Sequence, residues 1–404
     1  MNSRRTLTYV GPLVLVLVAL VGSRPGFGQQ KIEMRNGIPV APTGLWGKKL
    51  PTTPMIYDTA EGQRIRVAIV TKALAFPWSI VFLPSGDMLV TEREGRLRLI
   101  HNGTLDPKPI SGGPVARNLG ISGEPGAIHG YMDLALHPKF AQNGYIYLSY
   151  TKPVDEKKQT TAIARMKFDG HAITETKDIL VADIGTSRIA FGKDEKLYVT
   201  SVAVGGNAAQ DLNSLGGKVL RLNDDGSVPK DNPFVGKAGA RPEVYTLGHR
   251  SSLGLVMNPM TSEMWLNENG PNGGDEINIL KPGLNYGWPI VSYGRRYNGD
   301  LLAGKGLTQK EGVEQPVYFW YPDIAPCGMI FYTGDMFPEW KGNLLIGGMG
   351  AKSLIRVVLD GDKVVAEEHL LTELNQRVRE VEQGPDGALY VLTDDGRLSR
   401  VSRK

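Results

Sequence analysis

Hydrophobic positions along this chain fall in short runs, each introduced by a turn residue. Pro84-Ser-Gly-Asp-Met-Leu-Val-Thr91, Asn143-Gly-Tyr-Ile-Tyr-Leu-Ser-Tyr150 and Lys193-Asp-Glu-Lys-Leu-Tyr-Val-Thr200 share one form. Thr261-Ser-Glu-Met-Trp-Leu-Asn267, Trp340-Lys-Gly-Asn-Leu-Leu-Ile-Gly347 and Pro385-Asp-Gly-Ala-Leu-Tyr-Val-Leu392 repeat it. In several copies a second run follows, as in Gly95-Arg-Leu-Arg-Leu-Ile100, Leu354-Ile-Arg-Val-Val-Leu359 and Gly396-Arg-Leu-Ser-Arg-Val401. A turn residue, a strand, a turn and a strand make a hairpin. No stretch has a sustained helical apolar period, which argues against a parallel α/β sheet.

The copies recur at roughly 45 to 80 residues, a spacing that suits propeller blades carrying inserted loops. The count predicts an all-β, six-bladed β-propeller, whose circular closure removes the edges that so many short strands would expose. It is placed at residues 66–404. Residues 29–65 are expected to form an extended segment ahead of it, being rich in Pro and Gly.

The first residues read differently. Arg4 and Arg5 precede an apolar run from Val10 to Val21, and a small, polar stretch from Gly22 to Gln30 follows. That order predicts a signal peptide over residues 1–28 and an exported protein, periplasmic or secreted, with no stable membrane insertion after cleavage. A single membrane anchor is the alternative, disfavoured by the shortness of the run. Ser3-Arg4-Arg5-Thr6-Leu7 partly matches a twin-arginine signal.

Composition adds bounds. The 404 residues include 50 Gly and 26 Pro, which favours a fold with many tight turns. The net charge is +4, and no Lys/Arg block suggests nucleic acid as a partner. Cys327 is the lone cysteine, so it is read as a small buried hydrophobe. No Cys/His spacing suggests zinc.

Candidate chemistry concentrates in Trp265-Leu-Asn-Glu-Asn-Gly-Pro-Asn-Gly-Gly-Asp-Glu-Ile-Asn278 and in Pro282-Gly-Leu-Asn-Tyr-Gly-Trp-Pro289. Carboxylates, amides and Gly-freed carbonyls are the hard oxygen ligands of Ca²⁺. A polar loop whose Asp and Glu only cap turns has the same composition. Arg250, and the pair Arg377 and Arg379, offer planar forks for a multiply anionic ligand, or else ion pairs between blades. His129 precedes an apolar strand and is the histidine placed to face a central channel.

Together these segments resemble the glucose/sorbosone dehydrogenase family. The resemblance runs from about Leu74 to Val401. It is carried by Pro77-Trp-Ser-Ile-Val-Phe-Leu-Pro-Ser-Gly86, Val90-Thr-Glu-Arg-Glu-Gly-Arg-Leu-Arg98, Met132-Asp-Leu-Ala-Leu-His-Pro-Lys-Phe140 and Tyr245-Thr-Leu-Gly-His-Arg250, with Gly217 to Pro233, Asn285-Tyr-Gly-Trp-Pro289, Ala325-Pro326 and Arg377-Val-Arg-Glu380. The resemblance implies a six-bladed propeller that oxidises a small-molecule sugar with pyrroloquinoline quinone (PQQ) and Ca²⁺. Gly270 and Pro271 match carbonyl ligands of the calcium that PQQ chelates. Asp275, Glu276 and Tyr286 match a neighbouring structural calcium site. Arg250, Arg377 and Arg379 match the arginines that hold the PQQ carboxylates, and Asp183 the aspartate beside the catalytic base.

The chain departs from the family at the base itself. Ile184 occupies the place of the family's histidine, and isoleucine cannot accept a proton. Ile128 stands for a pocket glutamine, Ser251 for an asparagine, and Gly350 for a lysine, with Lys352 nearby. Three readings follow: a divergent PQQ sugar dehydrogenase with His129 as replacement base, a propeller that binds PQQ, sugar or another ligand without turnover, and a hydrolytic or metal-dependent reaction on the carboxylate-rich loop.

Overall fold

The computed structural model describes residues 54–116, 129–156, 158–185, 188–203, 207–302 and 305–404, with the backbone of 33–35 and 38–40. The expected signal peptide lies outside the described residues. Six antiparallel sheets follow one another along the chain, five of four strands and one of five. Their first strands are Pro77–Phe82, Tyr131–Leu136, Ile189–Phe191, Ser252–Met257, Pro326–Phe331 and Val378–Gln383. Each touches the next, and the last touches the first, so they line a common axis. This is the six-bladed propeller expected, and we number the blades 1 to 6 in that order.

Each of the six repeated runs forms the second strand of a blade: Met88–Glu92, Tyr145–Pro153, Leu197–Thr200, Met264–Glu268, Leu344–Gly348 and Leu389–Thr393. These strands are buried nearly throughout because neighbouring blades cover both faces, so they read as continuous apolar runs. Trp265 of blade 4 meets Phe331 of blade 5 edge-on, with ring centroids 5.3 Å apart. Among the described residues the single α-helix is Phe140–Asn143.

Ring closure starts earlier in the chain than the sequence suggests. Arg64–Thr71 pairs with Leu398–Arg403, and Met55–Asp58 pairs in turn with Arg64–Thr71. The propeller therefore begins at Met55 rather than at residue 66. Blade 6 draws its inner strands from the C-terminus and its outer ones from the N-terminus, fastening the ring by a sheet.

Five of the six first strands carry a register shift near their start, between Pro77 and Ile80, Tyr131 and Leu134, Ser252 and Gly254, Pro326 and Met329, and Val378 and Glu380. An extra residue in one strand of a pair bends it and re-aims a side chain. Here the bulges aim at the axis. Trp78, Met132, Leu253, Cys327 and Met349 meet there as one buried cluster. Arg188, just ahead of the first strand of blade 3, binds a group from every other blade. Its guanidinium pairs with Asp133 at 3.1 Å, pairs closely with Glu380, donates to the Leu253 carbonyl at 2.7 Å and to Cys327 Sγ at 3.3 Å, and lies 5.6 Å from the Trp78 ring.

Burial works against that charge, but Glu380 and Asp133 hold the Arg188 guanidinium more firmly protonated than usual. Removing one partner of a buried ion pair leaves uncompensated charge and typically costs about 3–5 kcal/mol. Arg188→Met is expected to lower the free energy of unfolding by about that much, measured by urea denaturation. A loss within about 0.5 kcal/mol, the usual range for a surface change, would contradict the hub.

Candidate functional site

The loops that precede the first strands, and those joining second to third strands, meet at one end of the axis. They carry most of the residues singled out in the sequence. Arg377 and Arg379 converge there on Asp394, in the turn between the second and third strands of blade 6. Arg379 is the extra residue of its bulge and grips Asp394 in bidentate fashion, Nε to Oδ1 and a terminal nitrogen to Oδ2, both at 2.8 Å. Arg377 Nε donates to Asp394 Oδ2 at 2.9 Å. Arg93, in the corresponding turn of blade 1, brings a third guanidinium to 3.9 Å from Asp394. All four side chains are buried or nearly so. Burial opposes the Asp394 charge, but Arg379, Arg93 and Arg377 overcome it and hold the carboxyl down to about 2.

His129 stands beside this cluster. It is followed by Gly130, at φ +79°, where a Cβ would collide with the Arg93 carbonyl. Only glycine lets the two turns approach so closely. The His129 ring is half-buried, and burial, with Arg93 assisting, lowers its pKa, so it is neutral at pH 7. Its Nδ1 lies 2.7 Å from Gln159 Nε2. With the amide nitrogen donating, Nε2 carries the ring hydrogen. With the amide turned end for end, Nδ1–H donates to Oε1 and Nε2 is the free base.

Arg250 lies apart from the other arginines. It donates to the carbonyls of Asn269 and Gly270 at 2.7 and 2.9 Å, receives the Tyr297 hydroxyl as a partner at 3.2 Å, and lies 5.4 Å from the Trp288 ring. The Gly270 carbonyl proposed for calcium is thus engaged by a guanidinium, and Pro271 is buried. Asp275 is a brace: Oδ1 accepts the Gly270 N–H at 2.8 Å, and Oδ2 the N–H groups of Ile324 and Ala325 at 2.8 and 2.7 Å. The Tyr286 hydroxyl is spent on scaffold, donating to Ile279 O and accepting the Lys281 N–H, while its ring stacks on His249. In this structure the Asp275 carboxylate and the Tyr286 hydroxyl are thus engaged by the scaffold.

A void of about 10 Å³ is bordered by Glu268, Glu276, Asn269, Gly270, Gly248 and Tyr286, with Arg250 also in its lining and Glu268 bonded to His249 Nδ1, the Arg250 N–H and Asn278 Nδ2. Burial, with Glu268 adding repulsion, pushes the Glu276 carboxyl well above its ordinary range. A divalent cation between the two would relieve both effects. Among the described residues no three His, Cys, Asp or Glu side chains converge to hold a metal, so the other ligands there would be backbone carbonyls.

Two expected residues fall outside these groups. Asp183 is exposed, while Ile184 is 1% exposed and packs with Tyr147, Ile163 and Leu220 in the core between blades 2 and 3. Lys352 is half-buried at φ +52° in the turn after the second strand of blade 5. Sequence reading missed Arg93, Asp394 and Glu268.

The larger cavity, about 460 Å³, opens at the other end of the axis, among the last residues of the first strands, including Met257, Phe331 and Glu382. Burial, with Glu380 adding repulsion, raises Glu382 to about 8. No residue of the arginine cluster lines it. Size alone therefore points away from the convergent chemistry, and we place the site at the arginine end.

Comparison with known proteins identifies the family. The Glucose / Sorbosone dehydrogenase family model matches residues 74–400. Aldose sugar dehydrogenase YliI of Escherichia coli is 39% identical over 352 residues, covering 84% of this chain and 93% of that protein. The soluble aldose sugar dehydrogenase of Escherichia coli, solved in its apo-form, is 38% identical, covers 84% of this chain and 100% of its own, and superposes with a TM-score of 0.76. The PQQ-bound aldose sugar dehydrogenase of Streptomyces coelicolor is 26% identical, covering 88% of this chain and 100% of its own at a TM-score of 0.67. The chain belongs to the glucose/sorbosone dehydrogenase family.

The Asp394 pKa has a testable sign. Its native value of about 2 lies below the unfolded value of about 3.9. Its contribution is therefore complete above pH about 4 and is lost as pH falls toward 2. Compared by urea unfolding, wild type and Asp394→Asn should differ by on the order of 2 kcal/mol near pH 6 and converge near pH 2. A difference independent of pH would contradict the assignment.

Proposed function

We propose that this protein oxidises a hydroxyl of an aldose, with PQQ held over the Asp394 cluster and calcium at the Glu268–Glu276 void. The observation that carries the reading is the convergence of the Arg93, Arg377 and Arg379 guanidiniums at one end of the axis. Planar forks match carboxylates in geometry as well as charge. When bound, the quinone supplies a hydride acceptor, and calcium beside it acts as a Lewis acid.

The chain's own residues have distinct tasks. Arg377 and Arg379, fixed by Asp394, orient the carboxylates. Trp78, Met132, Leu253, Cys327 and Met349 close the axis beneath and shut out water from the far channel. His129 takes the proton of the sugar hydroxyl at Nε2, in the arrangement where Gln159 Oε1 accepts from Nδ1–H. Its lowered pKa keeps the ring able to accept at neutral pH. Export through the N-terminal segment places this chemistry in the periplasm or outside the cell.

Ile184 favours a second reading. Its burial leaves no base at the position where the family has one, which suits a propeller that binds the same ligands without turnover.

The experiment is to express the full chain, recover the exported form, whose N-terminus should fall near residue 29, and add PQQ, Ca²⁺ and a panel of aldoses. Sugar-dependent bleaching of a redox dye is expected in wild type. It should fall by about 100-fold or more in His129→Ala, with PQQ binding intact. Unchanged turnover in that variant removes His129 from the reaction. PQQ binding without reduction by any aldose establishes the binding protein instead.

A further inference from the structure

The cavity at the end of the axis away from the arginines takes no part in the proposed reaction. At about 460 Å³ it has the size of a small-molecule site. All six first strands contribute residues to it, and its sides divide by chemistry. Blades 1, 4 and 5 give it only neutral residues, among them Met257 and Phe331. The titratable groups of its lining are Asp133 from blade 2, Arg188 from the start of blade 3, and Glu380 and Glu382 from blade 6.

Side chains alternate along Val378–Gln383. Val381 turns into the apolar core between blades 5 and 6, so Glu380 and Glu382 both face the cavity. Gly328 of blade 5 leaves room for the first of them, since a Cβ there would overlap the Glu380 carboxyl.

The two carboxyls differ in what they hold. Glu380 is tied to Arg188 and accepts the Val381 N–H, and Asp133 grips the same guanidinium. Glu382 lies two residues further from the arginine end. Its Oε1 accepts the Gln383 N–H at 3.0 Å, while among the described residues Oε2 has no hydrogen-bond partner and no cation pairs with it. Gln383 is occupied elsewhere: its Oε1 accepts the Thr333 and Gly334 N–H groups at 2.8 and 3.0 Å, and Nε2 donates to Thr333 Oγ1 at 3.2 Å. Burial, then repulsion by Glu380 and Asp133, raises the Glu382 carboxyl to about 8. Ionising a carboxyl in such a place is costly until a cation joins it.

We propose that this cavity is a second ligand site, one that takes a small alkylammonium with its cationic head against Glu382 and its carbon body against the apolar wall that includes Met257 and Phe331. The site is separate from the arginine end and does not rest on the cofactor reading. Arg188 stays bound between Asp133 and Glu380 beside the plate of Trp78 and Cys327, so guanidinium and guest keep separate carboxylates.

The mature chain is titrated calorimetrically with n-butylammonium, and with n-butanol and butyrate as neutral and anionic guests of the same length. At pH about 8.5 the ammonium should bind about tenfold or more tightly than butanol, and butyrate more weakly than either. Below pH about 8 each ammonium bound displaces a proton from Glu382, so its affinity should fall by about tenfold per pH unit, while that of butanol stays level. Glu382→Gln keeps the shape and removes the charge, and it should abolish the preference for the ammonium.

Equal affinity of the wild type for butylammonium and butanol overturns the proposal, since it marks a merely apolar pocket. So does an ammonium affinity that Glu382→Gln leaves unchanged, or no binding of any of the three guests at millimolar concentration. If Glu382→Gln does not fold, the wild-type pH series decides, and an ammonium affinity that does not change between pH about 6 and about 8 overturns the proposal.

Discussion

Arg188 holds the molecule together at its axis. Its guanidinium meets Asp133 of blade 2, the Leu253 carbonyl of blade 4, Cys327 of blade 5, Glu380 of blade 6 and the face of Trp78 of blade 1. Six sheets arranged in a ring leave a channel, and a channel lined by backbone invites water. One planar, five-donor cation answers the polar groups that converge there. The arrangement is only as good as the bulges that deliver its partners, for a first strand in regular register would turn those side chains into the blade interfaces.

The same bulges divide the axis in two. Above the plate of Trp78, Met132, Leu253, Cys327 and Met349 lie Asp394 and the guanidiniums of Arg93, Arg377 and Arg379. Below it lie the open cavity, the cationic Arg188, and Glu380 and Glu382, whose carboxyls burial pushes up to about 7 and about 8. The upper end is therefore the one whose side chains suit an anion. The more spacious cavity lies at the end away from the converging arginines.

Much of the fold was legible in the sequence, because each second strand, covered on both faces, spells out an apolar run after a turn. The outermost strand of blade 6 was not, since Met55–Asp58 is short, half-buried and preceded by Pro and Gly. Arg377 and Arg379 were visible as a pair, but Arg93 and Asp394 were not. Each sits in a turn whose composition matches the turns of other blades, and only closure of the ring sets blade 1 against blade 6. The surroundings of Asp275 and Tyr286 were hidden for a related reason. A loop rich in oxygen atoms looks alike whether the oxygens face an ion or the loop's own N–H groups, and here the Asp275 carboxylate and the Tyr286 hydroxyl accept N–H bonds. Glu268, at the end of an ordinary strand, faces the void because Glu276 pairs with it across the sheet.

The central claim is that the arginine end of the axis holds the quinone. A crystal structure of the mature chain grown with PQQ and Ca²⁺ tests it most directly. The account predicts density for a planar tricyclic acid over the plate, its carboxylates within hydrogen-bonding distance of Arg377 and Arg379. Density in the cavity beside Glu382, or none at either end despite saturating PQQ, would contradict it.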